Sequence, residues 1–217
     1  MSRSPVLNTI FERKIVAVVR SPDGGKLVDV AKALAAGGVT VLEITFTVPN
    51  ALEVLKAVRA AMGDAVTLGA GTVLDPETAR AAILAGAEFV VAPNTNPGVI
   101  KLCRRYSTPV MPGAYTPTEI LRAWELGADV VKVFPADVGG PAYLRAVAAP
   151  LPQVRLMPTG GVDLNTAAEF LKAGACCLGV GSSLVEKAAL ASGDMGRIMT
   201  LARAFVEAVA RGQPAKP

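Results

Sequence analysis

Short apolar runs rich in valine and isoleucine recur along the chain, each followed by a longer stretch in which apolar positions return at helical spacing. The runs fall at Lys14 to Arg20, Val39 to Thr47, Ala65 to Gly69, Glu88 to Ala92, Thr108 to Met111, Asp129 to Asp137, Val154 to Met157 and Cys176 to Val180. Continuous β-branched runs of this length read as strands buried on both faces, as in parallel sheets and barrels. Between them the pattern predicts helices. Ser21-Pro22 supplies an N-cap and a proline at the first helical position for a helix to about Ala36. Asn50, with Glu53 three residues on, opens a second that ends at Gly63, and Asp75-Pro76 opens a third that closes at Gly86. A fourth lies near Val99 to Tyr106, and the capping box Thr116-Pro117-Thr118-Glu119 starts a fifth that ends at Gly127. Two more follow, one near Tyr143 to Ala148 and one capped by Asp163 or Asn165 and ended by Gly174. A short helix over Pro5 to Glu12, a last amphipathic helix over about Met195 to Ala210 and a polar tail from Gly212 to Pro217 complete the pattern.

Four joints repeat: Ala-Gly-Gly-Val at 36, Ala-Gly-Ala-Glu at 85, Leu-Gly-Ala-Asp at 126 and Ala-Gly-Ala-Cys at 173. Each is a glycine that ends a helix just before a buried strand. Eight strands alternating with helices predict a (β/α)8 TIM barrel, an α/β fold occupying residues 1–217 as a single domain. The alternative is a doubly wound open sheet, which needs a topological switch point that the pattern does not locate.

Composition narrows the chemistry. The chain has no histidine, which removes the Ser-His-Asp triad, Cys-His catalysis and nearly every catalytic zinc site. Acid-base work falls to carboxylates, lysine, tyrosine or water. The three cysteines, Cys103, Cys176 and Cys177, form no C-x-x-C pair and read as buried thiols of a reducing compartment. No apolar run is long enough to span a bilayer, and Met-Ser-Arg-Ser-Pro at the start lacks the apolar stretch of a secretory signal, so the expectation is a cytoplasmic protein with no membrane partner. The net charge of +4 is scattered and forms no basic stripe, which argues against nucleic acid and suits a small anionic substrate.

Two charges interrupt the apolar strands. In Asp129 to Asp137, Val130, Lys132 and Phe134 share one face and Val131 and Val133 the other. An ammonium desolvated there is relieved by losing its proton, and a neutral amine is the nucleophile that Schiff-base formation with a ketone needs. Glu43 is the second, within Val-Leu-Glu-Ile-Thr. A buried salt bridge between the two is the structural alternative, although such a pair stabilises little. Glu43 holds the proton on the lysine, so any lowering of the lysine pKa has to come from desolvation and from a cation such as Arg20. In a barrel, function gathers at the strand C-termini. There the chain places Arg20, Glu43, Gly69-Ala70-Gly71-Thr72, Ala92-Pro93-Asn94, Pro112-Gly113, Lys132 with Phe134, Pro158-Thr159-Gly160-Gly161 and Gly179-Val180-Gly181-Ser182. The last two are glycine turns whose N–H groups can approach an anion.

Taken together, Leu42-Glu43-Ile44-Thr45, Gly69-Ala70-Gly71-Thr72-Val73, Pro112-Gly113, Val131-Lys132-Val133-Phe134-Pro135-Ala136, Pro158-Thr159-Gly160-Gly161 and Gly181-Ser182 resemble the 2-keto-3-deoxy-6-phosphogluconate (KDPG) and 2-keto-4-hydroxyglutarate (KHG) aldolases. The resemblance implies a class I aldolase of the Entner–Doudoroff pathway, a homotrimer needing no metal or cofactor, acting on a phosphorylated 2-keto acid and releasing pyruvate. It implies Lys132 as the Schiff-base lysine and Glu43 as the general acid/base. Arg20, Thr72 and Thr159 match positions around the pyruvoyl carboxylate, Phe134 the aromatic beside the imine, and Gly160, Gly161, Gly181 and Ser182 the phosphate site. Pro93, at its strand end, joins the positioning group. One departure stands out: many family members carry arginine where this chain has Thr47, which assigns the carboxylate to Arg20. KHG or the galactonate epimer of KDPG are alternative substrates, Thr159 favouring the gluconate form. A barrel isomerase or synthase using Glu43 as base, and an inactive scaffold barrel, are the rival functions.

Overall fold

The computed structural model describes residues 5–212. Its strands are β1 (Ile15–Val19), β2 (Val41–Thr45), β3 (Thr67–Gly71), β4 (Phe89–Val91), β5 (Val110–Met111), β6 (Gly113–Ala114), β7 (Val131–Val133), β8 (Leu156–Pro158) and β9 (Leu178–Val180). All named pairings are parallel. β5 and β6 are halves of one stave, parted at Pro112, which has no N–H to give to a ladder. The Pro112 carbonyl still accepts from Lys132 N at 2.9 Å, so the stave carries on past the break. β1 pairs with β2 on one side and β9 on the other, and β9 meets β8 through the bridges Leu156 to Ala175 and Thr159 to Gly179. First and last strands therefore touch and the eight-stave sheet closes. The predicted (β/α)8 barrel is borne out and the open doubly wound sheet is excluded.

Around it lie α1 (Pro5–Arg13), α2 (Leu27–Ala36), α3 (Ala51–Met62), α4 (Pro76–Leu84), α5 (Pro97–Arg105), α6 (Pro117–Glu125), α7 (Gly140–Ala148), α8 (Ala167–Lys172), α9 (Lys187–Ser192) and α10 (Met195–Gly212). The caps at Asp75 and Thr116 form as the sequence predicts: Asp75 accepts from Thr78 N at 2.6 Å, and Thr116 and Glu119 make a reciprocal box. Gly86, Gly127 and Gly174 follow their helices at φ +102°, +100° and +106°, a region that glycine enters without penalty.

Several boundaries differ from the sequence pattern. α2 starts at Leu27, not beside Ser21-Pro22, because Ser21 and Asp23 bond each other and Asp23 accepts from Gly25 N at 2.9 Å. Such local side-chain bonds compete with helix formation. Asn50 sits at φ +54° and makes no side-chain cap, while Glu53 pairs with Lys56 at 2.8 Å. The stretch Asp129 to Asp137 is regular strand only over Val131–Val133, although Asp129 N still donates to Val110 O at 3.0 Å, Phe134 N to Ala114 O at 3.1 Å and Ala136 N to Thr159 O at 2.9 Å. α9, six residues long, is too short to show a helical period, and the sequence pattern does not predict it. Gly212 ends α10, and the rest of the expected polar tail lies outside the described residues.

Alternation sorts the strand residues into two cores. Val16, Val41, Phe89, Val91, Met111, Val130, Met157 and Cys177 fill the barrel, joined by the fully buried Ile10 of α1, which plugs its N-terminal end. Ile15, Ala17, Leu42, Ile44, Leu68, Ala70, Val131, Val133 and Leu156 face the surrounding helices. Glycines make the interior fit. A Cβ on Gly69 would stand 2.4 Å from the Phe89 ring, and one on Gly179 would stand 2.2 Å from Thr159 Oγ1. Among the described residues no helix is long and apolar enough to cross a membrane.

Replacing Gly69 by alanine is expected to lower stability by about 1–3 kcal/mol, the usual cost of overpacking. The double variant Gly69→Ala with Phe89→Leu recovers part of that loss in chemical denaturation, and equal loss in both would rule out the ring contact as its cause.

Candidate active site

The inner face of β2 carries Val41, Glu43 and Thr45, and that of β7 continues from Val130 to Lys132. Glu43 and Lys132 therefore enter the barrel above the apolar layer of Val16, Val41, Phe89 and Val130. They are 1% and 2% exposed. Room for the carboxylate comes from β3, since a Cβ on Gly71 would lie 2.5 Å from Glu43 Oε1. Among the described residues, neither Glu43 oxygen has a hydrogen-bond partner, and no ion pair joins it to Lys132.

Burial dominates both ionisations. Desolvation raises the Glu43 pKa against the opposing pull of Lys132 and Arg20. Desolvation likewise lowers that of Lys132; Glu43 opposes the shift and the Arg20 cation adds to it. The signs of the effects on Lys132 are those expected from the sequence, and both shifts favour an uncharged amine facing a protonated acid. Phe134, two residues past Lys132 on the same face, places its ring centroid 5.0 Å from Nζ.

Above this pair opens a cavity of about 310 Å³, lined by Val18, Arg20, Phe134, Thr159 and the turns at Gly160, Gly161, Gly181 and Ser182, together with Lys187. Gly160 and Gly161 adopt φ +89° and +69°. A Cβ on Gly161 would lie 2.9 Å from Asp137 Cα, so that position excludes side chains sterically as well. Among the described residues, the N–H groups of Gly161, Gly181 and Ser182 donate to no backbone carbonyl. The Gly161 carbonyl is drawn off by Thr166 Oγ1 at 3.0 Å, and Ser183 Oγ ties the two turns together by donating to Val162 O at 2.5 Å. Thr159 Oγ1 is buried and unpartnered beside Gly179. The result is a concave set of donors suited to an anion.

Of the residues singled out in the sequence, Lys132 and Glu43 share the barrel interior, while Arg20, Thr159, Phe134, Gly160, Gly161, Gly181 and Ser182 line one cavity. Two others stand aside from that cavity. Thr72 follows Gly71 at φ +57°, a strained conformation for a β-branched residue. Pro93 lines a neighbouring depression with Asn94, Gly113 and Phe134. Thr47 lies in the groove beside Arg20, and its Oγ1 is 2.8 Å from that of Thr45, which also donates to Val19 O at the end of β1. Sequence reasoning missed Thr45 and Lys187. Alternation from Glu43 gives the first away; the second has no motif and is placed by α9, an element without a visible period. A depression of about 500 Å³ at Pro5, Leu7, Thr108 and Asp129 contains neither buried charge. The cysteines are free and none lines the cavity; burial pushes the Cys103 thiol up to about 12, where it is inert.

Comparison with known proteins agrees with this geometry. The family model for KDPG and KHG aldolase matches residues 6–201. The 2-dehydro-3-deoxy-phosphogluconate aldolase of Treponema pallidum (strain Nichols) is 40% identical over 206 residues, covering 93% of this chain and 98% of that protein. The KHG/KDPG aldolase of Escherichia coli (strain K12) is 38% identical over 209 residues, covering 95% and 93%. Among solved structures, the KDPG aldolase from Legionella pneumophila, with pyruvate captured at low pH as a covalent carbinolamine intermediate, superposes with a TM-score of 0.83 at 29% identity over 90% of this chain and 96% of that one. A buried lysine and glutamate at strand ends, two glycine turns above them and relatives matched over nearly their full length converge on one assignment: the chain belongs to the KDPG and KHG aldolase family.

Proposed function

We propose that this protein is a class I aldolase that reversibly cleaves KDPG to pyruvate and glyceraldehyde 3-phosphate, the carbon-carbon lyase step of the Entner–Doudoroff pathway. The observation that carries the reading is the burial of Lys132 and Glu43 in one interior without a salt bridge between them. An ion pair kept for stability would be in contact. A nucleophile and its acid held apart leave space for a reacting carbon.

In the proposed sequence, neutral Lys132 attacks C2 of the ketone to give a carbinolamine, and Glu43 gives its proton to the carbinolamine hydroxyl, which leaves as water to form an iminium. Glu43, now ionised, takes the proton of the C4 hydroxyl, directly or through a water, as the C3–C4 bond breaks. The bonding electrons pass to the iminium and form an enamine, and glyceraldehyde 3-phosphate departs. Protonation of the enamine at C3 by Glu43 and hydrolysis of the resulting imine release pyruvate and restore the amine. Arg20 holds the carboxylate next to the imine carbon, with Thr72 and Thr159 ordering the same end and Pro93 shaping the approach. Phe134 covers the amine on its open side. Gly160, Gly161, Gly181 and Ser182 hold the phosphate at the far end, so binding energy there is spent on orienting the reacting bond. The E. coli relative's double name supports KHG as a second substrate. Assembly as a homotrimer and residence in the cytoplasm are part of the proposal; the free thiols suit a reducing compartment.

Borohydride reduction in the presence of pyruvate is expected to leave a stable adduct on Lys132, read by peptide mass spectrometry and absent in Lys132→Ala. A folded protein that gives no adduct in excess pyruvate would sink the imine and bring forward a barrel isomerase using Glu43 as base. The rate of trapping should rise with pH through the lowered lysine pKa and then level off. Because the Arg20 cation depresses that pKa and Glu43 raises it, Arg20→Gln is expected to move the rise to higher pH and Glu43→Gln to lower pH. Shifts of the opposite sign would refute the electrostatic arrangement.

Two glycines of the phosphate turns should respond differently to alanine. Gly161→Ala meets backbone at positive φ and is expected to lose stability by about 1 kcal/mol or more. At Gly181 the nearest neighbour of a new Cβ is Val18 Cβ at 4.0 Å, so the fold is unaffected and the methyl projects into the cavity. Its expected signature is an unchanged melting temperature with a higher KM for the phosphorylated substrate; an unchanged KM would place the phosphate elsewhere.

A further inference from the structure

The cavity above Lys132 has two cations on its wall, and only Arg20 has so far been given work. The other is Lys187, the first residue of α9. Among the described residues its side chain makes no hydrogen bond and no ion pair, although a carboxylate precedes it directly in the chain. Glu186 is taken up elsewhere: Arg197 of α10 grips it through Nε and Nη2, each at 2.9 Å. That bidentate pair is the strong form of carboxylate recognition, and it keeps Glu186 from neutralising its neighbour.

α9 is also fixed at its other end. Lys26 Nζ donates to Leu190 O at 3.3 Å and to Ala191 O at 2.9 Å, tying the helix to the segment that follows Arg20. The helix itself gains nothing from a lysine in its first turn, where acidic residues are favoured. Lys187 is thus a cation with no structural partner among the described residues, on a helix anchored at both ends, beside the two glycine turns.

A phosphate ester carries close to two negative charges at neutral pH. The turns offer it N–H groups and the Ser182 hydroxyl but no formal charge, and in the proposed function Arg20 is taken by the carboxylate. We infer that Lys187 is the charge partner of the substrate's phosphate and the residue that sets the preference for phosphorylated over non-phosphorylated 2-keto acids. The inference rests on the phosphate reading of this cavity and adds to it the residue that makes it selective. KHG ends in a C5 carboxylate where KDPG extends to a C6 phosphate ester, so it brings a nearer and single negative charge to that side of the cavity.

The test is the ratio of kcat/KM for KDPG to that for KHG in the wild type, Lys187→Gln and Lys187→Arg, with inorganic phosphate as a competing ligand. Lys187→Gln is expected to lower the ratio about tenfold or more, the usual weight of a hydrogen bond to a charged group. The loss should fall mainly in KM for KDPG, with weaker inhibition by phosphate, and Lys187→Arg should restore most of it. Loss of activity towards both substrates in equal measure would mean a structural role and overturn the inference. A wild-type preference for KDPG that survives in Lys187→Gln would overturn it too while leaving the phosphate site standing. A wild type with no preference, uninhibited by phosphate, would remove the phosphate site itself and the inference with it.

Discussion

Water is excluded from the middle of the barrel, and two ionisable side chains of opposite sign have been placed there. Everything else in the site follows from how that cost is met. A full ion pair would bring Lys132 and Glu43 together and quench both; complete separation would leave each uncompensated in an apolar medium. The protein takes a middle course, in which the groups feel each other's charge without touching and the solvation penalty moves each toward its neutral form. Arg20, exposed at the rim, tilts that balance further toward a free amine. Burial thereby favours an uncharged amine facing a protonated acid.

Geometry and electrostatics depend on the same staves. β2 and β7 carry the two buried ionisable groups, β3 and β9 supply glycines that make space on the inner face, and the turns after β8 and β9 line the cavity above with N–H donors. In the proposed function the substrate's two ends fall to different parts of the ring, the carboxylate to residues at the ends of β1 and β3, the phosphate to the last third of the chain.

Much of this is legible in the sequence. Alternation in Val130, Lys132 and Phe134 puts the lysine on the inner face by spacing alone, and the repeated helix-ending glycines mark out the staves. What the sequence conceals is local competition and short elements. Ser21 and Asn50 look like helix caps by residue type, yet one is diverted into a turn with Asp23 and the other adopts a left-handed backbone. α9 is too brief for a period to emerge, so the lysine it carries can be located only in three dimensions. Thr72 and Pro93 show the converse: motif matching names them, but the geometry sets them at the margins of the cavity lined by Arg20, Thr159 and the glycine turns.

The glycines of the inner faces constrain the order in which this enzyme can evolve. Gly69 stands against Phe89, Gly71 against Glu43 and Gly179 against Thr159, each with no space for even a methyl group. At such a pair the two positions are not exchangeable steps. The larger partner has to shrink before the glycine can grow, since the reverse order passes through an overfilled intermediate. Where the partner is Phe89 that path is open, through a transient void. Where the partner is Glu43 it requires giving up that carboxylate first, so a lineage that keeps Glu43 also keeps Gly71, however freely the loops above it diverge.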